Sequence, residues 1–139
     1  MIDGVGNVHS ILVLGGIGDV SVAIVDRLVG PRLTRVVLGA PASPELDNAV
    51  TRIRGFGVGE VRTVDFDPRE DWSHARLIDS VFDAGDIDVV VLIPGPQVSE
   101  LTDPSGSIDA TAAIEVLSAT LTGSASAALQ LTRRMGTQG

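Results

Sequence analysis

The sequence has 139 residues, a size that fits one domain. Its formal net charge is −8, and all ten basic residues are Arg, so we predict no nucleic-acid partner because the chain would repel a phosphate backbone. Cysteine is absent, which excludes disulfides and thiolate metal sites, while 44% hydrophobic residues favour a folded core over disorder.

The chain begins with MIDGVGNVHS, which lacks the basic start and the apolar stretch of a signal peptide. No apolar run in the sequence approaches the length needed to cross a bilayer. These features predict a cytoplasmic protein without a membrane span.

The first apolar run, Ile11–Leu14, predicts a buried strand. Glycines at positions 15, 16 and 18 follow it directly. An amphipathic helix comes next and is predicted to end near Val29, before Gly30 and Pro31. This order of strand, glycine turn and helix presents a helix N-terminus to a phosphate group.

Arg35–Leu38 predicts the second strand. Ser43 is a good N-cap for the helix that follows, and Pro44 suits its first position. That helix is predicted to end near Gly55 or Gly57.

Val61–Phe66 alternates in polarity and predicts the third strand. A third helix is predicted to begin with Asp71 or Ser73 as its cap and to stop at Gly85. Its inward-facing residues are predicted to be Ala75, Leu77, Ile78, Val81 and Phe82.

Asp88–Ile93 is the most apolar strand, and the prolines at positions 94 and 96 end it. From about Ser107 to Met135 the pattern predicts a helix whose middle, residues 122–128, is rich in small side chains. Small side chains allow a close neighbour, and packing on its own sheet is favoured over a partner subunit. Its apolar positions include Ile114, Leu117, Leu121, Ala125, Ala128, Leu129 and Met135.

Strand and helix alternate four times, which predicts an α/β fold with a parallel sheet of order 3-2-1-4 and helices on both faces. This is a Rossmann-like three-layer sandwich, and residues 1–139 form a single dinucleotide-binding half-domain. In such sheets the ligand lies beyond the C-terminal strand ends, near the break between strands 1 and 4.

Residues 16–21, GIGDVS, match the dinucleotide fingerprint G-x-G-x-x-G except for Ser21 in the third place. Asp19 works against phosphate binding unless its side chain points to solvent. No acid or Arg directly follows Leu38–Ala40, so the sequence does not separate NAD from NADP. Asp65 either hydrogen-bonds an adenine amino group or is an ordinary solvated carboxylate.

An acidic cluster follows the third strand and could suggest a metal site. The favoured interpretation is a solvated loop together with the N-terminal charges of a helix. Its members are Asp65, Asp67, Glu70, Asp71 and His74.

Several short segments together resemble the N-terminal half of a short-chain dehydrogenase/reductase: VGN, VLGG, VAI, VDFD, GDIDVVV and RRMGTQG. Within that family they are most similar to the actinobacterial reductases of decaprenylphosphoryl-2-keto-ribose, which form the second component of decaprenylphosphoryl-ribose epimerase and serve cell-wall arabinan synthesis. The resemblance implies an NAD or NADP cofactor, with NADH favoured, and a 2-keto sugar carried on a polyprenyl phosphate as substrate.

By position, the resemblance puts Asp19 and Ser21 in the second and third glycine places of the family's turn and Gly95 in its N-A-G segment. Thr120 stands where the family has a structural Asn. The implied cofactor-binding residues are Gly15, Gly16, Gly18, Asp19, Val20, Asp65, Phe66 and Gly95.

The family's catalytic Tyr and Lys have no counterpart, because the sequence contains neither residue type. The resemblance therefore implies a chain truncated before strand 5 and inactive alone. A second hypothesis is a non-enzymatic nucleotide-binding or scaffold subunit that pairs with a homologue, or with itself, through helix 107–135. A flavodoxin-like module is disfavoured because the glycine turn suits a pyrophosphate better.

Overall fold

A computed structural model describes residues 4, 6–93 and 102–138. Strands and helices alternate along the chain until two helices follow the last strand. The elements are β1 (Ser10–Gly15), α1 (Asp19–Leu28), β2 (Arg35–Gly39), α2 (Pro44–Arg54), β3 (Glu60–Val64), α3 (Asp71–Asp83), β4 (Val89–Ile93), α4 (Ala110–Leu117), a π-helical turn (Ser118–Gly123) and α5 (Ser124–Met135).

The four strands form one parallel sheet in the order β3-β2-β1-β4, which confirms the predicted topology. Strand β1 lies between β2 and β4, with Leu14 beside Gly39 on one side and Leu92 on the other. All four residues of Ile11–Leu14 are fully buried. The glycine turn therefore leaves the sheet at its centre, next to the break between β1 and β4.

Alternate side chains of β1 serve two separate cores, one on each face of the sheet. Ile11 and Val13 pack with residues of α1 and α2, whereas Leu12 and Leu14 pack with residues of α3 and α5. Helices thus cover both faces, as the three-layer prediction requires.

The predicted start of α2 is confirmed, because the Ser43 hydroxyl accepts a hydrogen bond from the Leu46 N–H at 3.1 Å and Pro44 is the first helical residue. The predicted cap of α3 is wrong. That helix begins at Asp71, and the Ser73 hydroxyl instead donates to the Glu70 carbonyl at 2.7 Å. Strand β3 ends at Val64, so Phe66 lies in the loop after it.

The predicted helix from about Ser107 to Met135 begins later, at Ala110, where the Asp109 carboxylate accepts hydrogen bonds from Thr111 and Ala112. We call α4, the π-helical turn and α5 together helix 110–135. Its π-helical turn was not predicted, since a π turn has no signature in hydrophobic periodicity.

Helix 110–135 packs on its own sheet through small residues of its middle, as predicted. Gly123, Ala127 and Leu131 are buried. Small residues on the inner face let the helix approach closely. The larger apolar side chains point outward. The exposed set is Ile114, Leu117, Leu121 and Leu129, with exposed fractions of 57–72%.

By length and composition, helix 110–135 could cross a membrane, with a mean hydropathy of 1.3 over its best window. The core helix of a soluble protein passes the same test. The sequence-based expectation of no membrane span therefore stays a prediction.

Candidate functional site

A cleft of about 360 Å³ opens where the C-terminal ends of the strands meet helix 110–135. Residues from all four strand ends and from one face of that helix line it. The lining residues are Gly15, Gly16, Pro41, Phe66, Asp67, Pro68, Arg69, Leu92, Ile93, Ala112, Glu115, Val116, Ala119, Thr120 and Ser124. Its position matches the predicted ligand site of a doubly wound sheet.

The glycine turn rests on the end of β4. Gly15 has a φ of +101°, a conformation that residues with a side chain rarely adopt. The Gly16 N–H donates a hydrogen bond to the Ile93 carbonyl at 2.9 Å. Backbone, with no side chain above it, therefore forms this part of the cleft wall.

Ser21, in the third glycine place, is buried and fits the turn. The Gly18 N–H donates to the Ser21 hydroxyl, and that hydroxyl donates to the Gly18 carbonyl, each at 2.8 Å. The first-turn N–H groups of Asp19, Val20 and Ser21 have no partner within a helix, so α1 directs its positive end towards the turn.

Asp19 points to solvent. Its side chain is 93% exposed and forms an ion pair with Arg52 of α2 at 2.6 Å. Asp19 was expected to work against phosphate binding unless its side chain pointed to solvent, and it does point to solvent. Gly18, Asp19 and Val20 begin α1 beside the cleft and are not among the lining residues described above.

The loop after β3 forms the wall opposite the glycine turn. Phe66 is 1% exposed and lines the cleft, as do Asp67 and Arg69, whereas Asp65 is exposed and outside the lining. The Arg69 guanidinium donates to the Asp67 carboxylate through Nη2 at 2.7 Å and through Nε at 3.0 Å. Asp65 was predicted either to contact an adenine or to be a solvated carboxylate, and Arg69 was not predicted to line the cleft.

The hydrogen bonds from Arg69 hold the pKa of Asp67 below its ordinary value, because they favour the ionised carboxylate. We expect Asp67→Asn to lower the free energy of unfolding by about 0.5–1 kcal/mol at pH 7. A lowered pKa stabilises the fold above the unfolded-state pKa of about 3.9, and this stabilisation is lost as the pH falls through the folded-state pKa.

Urea unfolding of both proteins across pH 7 to pH 2.5 checks this expectation. The difference between wild type and variant should shrink on the acid side, and a constant difference would contradict it. Asp65→Asn is the matched control at an exposed neighbouring position and should change little at any pH.

His74 was predicted to belong to a solvated acidic cluster, and that prediction is wrong. The side chain is fully buried under the loop after β3 and stacks on Phe66 with ring centroids 4.9 Å apart. A signal was present in the sequence, because His74 shares the helical face of Ile78, Val81 and Phe82. Within the described ranges, no three His, Asp or Glu side chains lie close enough to hold a metal ion.

Helix 110–135 supplies the remaining wall of the cleft. Thr120 lies in the π-helical turn, and Gly123 packs against the Pro68 carbonyl of the loop after β3. The hydroxyl oxygens of Thr120 and Ser124 are buried and have no hydrogen-bond partner in the described part of the chain. Gly95, predicted to contact the cofactor, lies outside the described residues.

Comparison with known proteins gives relatives of about twice this length. No family model matches the chain. An uncharacterized oxidoreductase of Streptomyces coelicolor is 36% identical over 127 residues, which cover 91% of this chain and 49% of that protein.

Solved structures of similar fold share less sequence identity. A variant of actinorhodin polyketide ketoreductase with NADPH superposes with a TM-score of 0.72 and 22% identity over 93% of this chain and 48% of the other. A short-chain dehydrogenase/reductase from Serratia marcescens superposes with a TM-score of 0.70 and 20% identity, over 96% of this chain and 52% of the other. The fold is that of the N-terminal part of a short-chain dehydrogenase/reductase.

NAD⁺-bound xylitol dehydrogenase superposes with a TM-score of 0.71 and 24% identity over 91% of this chain and 47% of the other. The chain therefore spans about half the length of the proteins it resembles. Its cleft lies at the sheet edge where a doubly wound α/β fold binds ligands.

Proposed function

We propose that this chain is the dinucleotide-binding part of a short-chain dehydrogenase/reductase that works as an oxidoreductase in the cytoplasm. One observation supports this most: a single cleft joins the positive-φ glycine turn at the start of α1 to the Phe66–Arg69 loop after β3. The similarity to an oxidoreductase and to NADPH- and NAD⁺-bound structures agrees with it.

In this proposal the pyrophosphate of the cofactor lies at the N-terminus of α1. First-turn N–H groups that have no partner within the helix, together with the helix dipole, favour an anion there. The adenine lies by Phe66, whose buried ring supplies an apolar surface. Asp19 does not oppose the phosphate, because Arg52 neutralises it.

Either NAD or NADP fits the charges that line the cleft. The end of β2 contributes Pro41 and no carboxylate, so the usual ribose clamp of NAD enzymes is missing from that position. The charges of Asp67 and Arg69 compensate each other, because the two side chains form an ion pair. The resemblance noted in the sequence favours NADH, and we propose it as the first cofactor to test.

The proposed substrate of a complete relative is a 2-keto sugar on a polyprenyl phosphate, as in decaprenylphosphoryl-2-keto-ribose reductases. These 139 residues contain no Tyr and no Lys, so they cannot supply a Tyr-x-x-x-Lys proton donor. We expect the 139-residue chain to bind NADH without oxidising it in the presence of a keto sugar. Robust turnover would contradict this assignment.

Gly18→Ala should separate cofactor binding from folding. A Cβ at Gly18 meets no atom within 4 Å, so the variant should fold with nearly unchanged stability. If a pyrophosphate lies against this turn, the added methyl occupies its space, and we expect the dissociation constant of NADH to rise at least tenfold. Isothermal titration calorimetry measures this directly.

Gly30→Ala provides the control, because its Cβ also meets nothing within 4 Å but lies at the other end of α1. It should leave NADH affinity unchanged. Equal affinities for wild type and Gly18→Ala would argue against a phosphate at this turn, and no binding to wild type would reject the proposed function.

A scaffold or pairing role is the second candidate, and the outward face of helix 110–135 favours it. Ile114, Leu117, Leu121 and Leu129 are 57–72% exposed, an apolar surface that a partner could cover. Sedimentation of wild type against Leu121→Glu tests this role. A dimer that dissociates in the variant supports pairing, and a wild-type monomer at high concentration contradicts self-association.

A further inference from the structure

His74 joins two walls of the cleft without reaching the cleft itself. One ring nitrogen, Nε2, lies 3.0 Å from the Asp67 carbonyl oxygen in the loop after β3. The other, Nδ1, lies 3.1 Å from the Ser126 hydroxyl of α5, which continues the helix wall. Nothing in the family resemblance gives this residue a role.

The partners determine the tautomer. A carbonyl oxygen can only accept, so Nε2 carries the proton and donates to Asp67. In a neutral imidazole Nδ1 is then an acceptor, and the Ser126 hydroxyl donates to it. Both ring nitrogens are satisfied inside a fully buried side chain, which fixes the ring in one orientation.

Two more contacts act on the same loop. The His74 ring stacks on Phe66, and Gly123 of helix 110–135 packs against the Pro68 carbonyl. Three consecutive loop residues, 66–68, are thus held by α3 and helix 110–135, and all three line the cleft.

We propose that His74 is a positioning residue for nucleotide binding: its Nε2–H bond to the Asp67 carbonyl sets the distance between the Phe66–Arg69 loop and the helix wall, and so the width of the adenine-binding part of the cleft. The inference rests on the proposed function, because it concerns the affinity of the same site. His74 contacts no ligand in it and takes no part in proton transfer.

Two substitutions separate positioning from packing. The amide nitrogen of Gln stands about where Nε2 stands, so His74→Gln keeps a donor to Asp67, whereas the amide of Asn stands about where Nδ1 stands, so His74→Asn keeps only the Ser126 partner. Both variants lose the stacked ring and should lose similar amounts of stability in urea.

The measurement is the dissociation constant of AMP, a probe of the adenine-binding part alone, by titration calorimetry on each variant. We expect a rise of about tenfold for His74→Asn, equivalent to about 1.4 kcal/mol, and less than about threefold for His74→Gln. Arg133→Gln removes a surface ion pair between α5 and Asp79 of α3 and is the control for a loosened α3–α5 contact, with no expected change.

Ser126→Ala serves if both His74 variants unfold, because it removes one partner and leaves the ring in place. We expect its AMP dissociation constant to rise about threefold. Equal losses for the Asn and Gln variants, or an unchanged constant in Ser126→Ala, would overturn the positioning role while leaving the proposed function intact. Wild-type protein that binds neither AMP nor NADH would overturn both.

Discussion

Replacement of Gly15 by alanine should lower the free energy of unfolding by about 3 kcal/mol or more. Two costs act together at this position. The φ of +101° disfavours any residue with a Cβ, and that Cβ would collide with the carbonyl oxygen of Ile93 in β4. Because the collision is with backbone rather than with a side-chain tip, β1 and β4 must separate to relieve it.

Gly57→Ala isolates the first cost. Gly57 also has a positive φ, +84°, but a Cβ there meets nothing within 4 Å, so only the backbone conformation is penalised, by about 1 kcal/mol. Urea unfolding of both variants gives the difference in their free energies of unfolding, which measures the cost of the contact between the new Cβ and the Ile93 carbonyl. Similar losses in the two variants would show that the β1–β4 contact yields easily.

Any Gly15→Ala protein that folds should also bind NADH more weakly than wild type at the same temperature. The turn and the end of β4 form the same wall of the cleft, so a displaced strand displaces both. Gly57→Ala lies after α2, away from the lining residues, and should retain wild-type affinity.

The sheet could be predicted from the sequence because each strand is marked by a short local pattern of residues. Ile11–Leu14 is apolar throughout and meets glycines at once, and only a central strand buried on both faces tolerates such a run. The strand order followed from the alternation of strand and helix and from the similarity of the glycine turn to dinucleotide-binding folds. Both signals lie within short stretches of sequence.

The candidate site was less predictable because its contacts are long-range. Asp65 was predicted to lie within the third strand, as an adenine contact or a solvated carboxylate, whereas β3 ends at Val64 and the loop turns Phe66 and Asp67 towards the cleft. Similarly, His74 is grouped with acids along the sequence, and although it shares a helical face with Ile78, its hydrogen-bond partner Ser126 lies 52 residues later.

Gly123→Ala tests the other wall of the cleft, and here helix propensity and packing predict opposite signs. Alanine in a helix is normally about 1 kcal/mol more stable than glycine. At Gly123, however, the Cβ would overlap the carbonyl oxygen and carbon of Pro68, so helix 110–135 and the Phe66–Arg69 loop must move apart. We expect a net loss of about 2–3 kcal/mol and at least tenfold weaker AMP binding.

Thr122→Ala is the matched control, one residue earlier in the same π-helical turn and exposed to solvent. Its expected effect is neutral or slightly stabilising, with unchanged AMP affinity, because it gains helix propensity and touches no loop. A stabilised Gly123→Ala protein would mean that the helix does not press on Pro68. A destabilised one with wild-type AMP affinity would mean that this contact holds the fold together without shaping the cleft. Only loss of both stability and affinity fits a loop whose position is set by the helix, since the Pro68 backbone that meets Gly123 lies between Asp67 and Arg69 in the cleft wall.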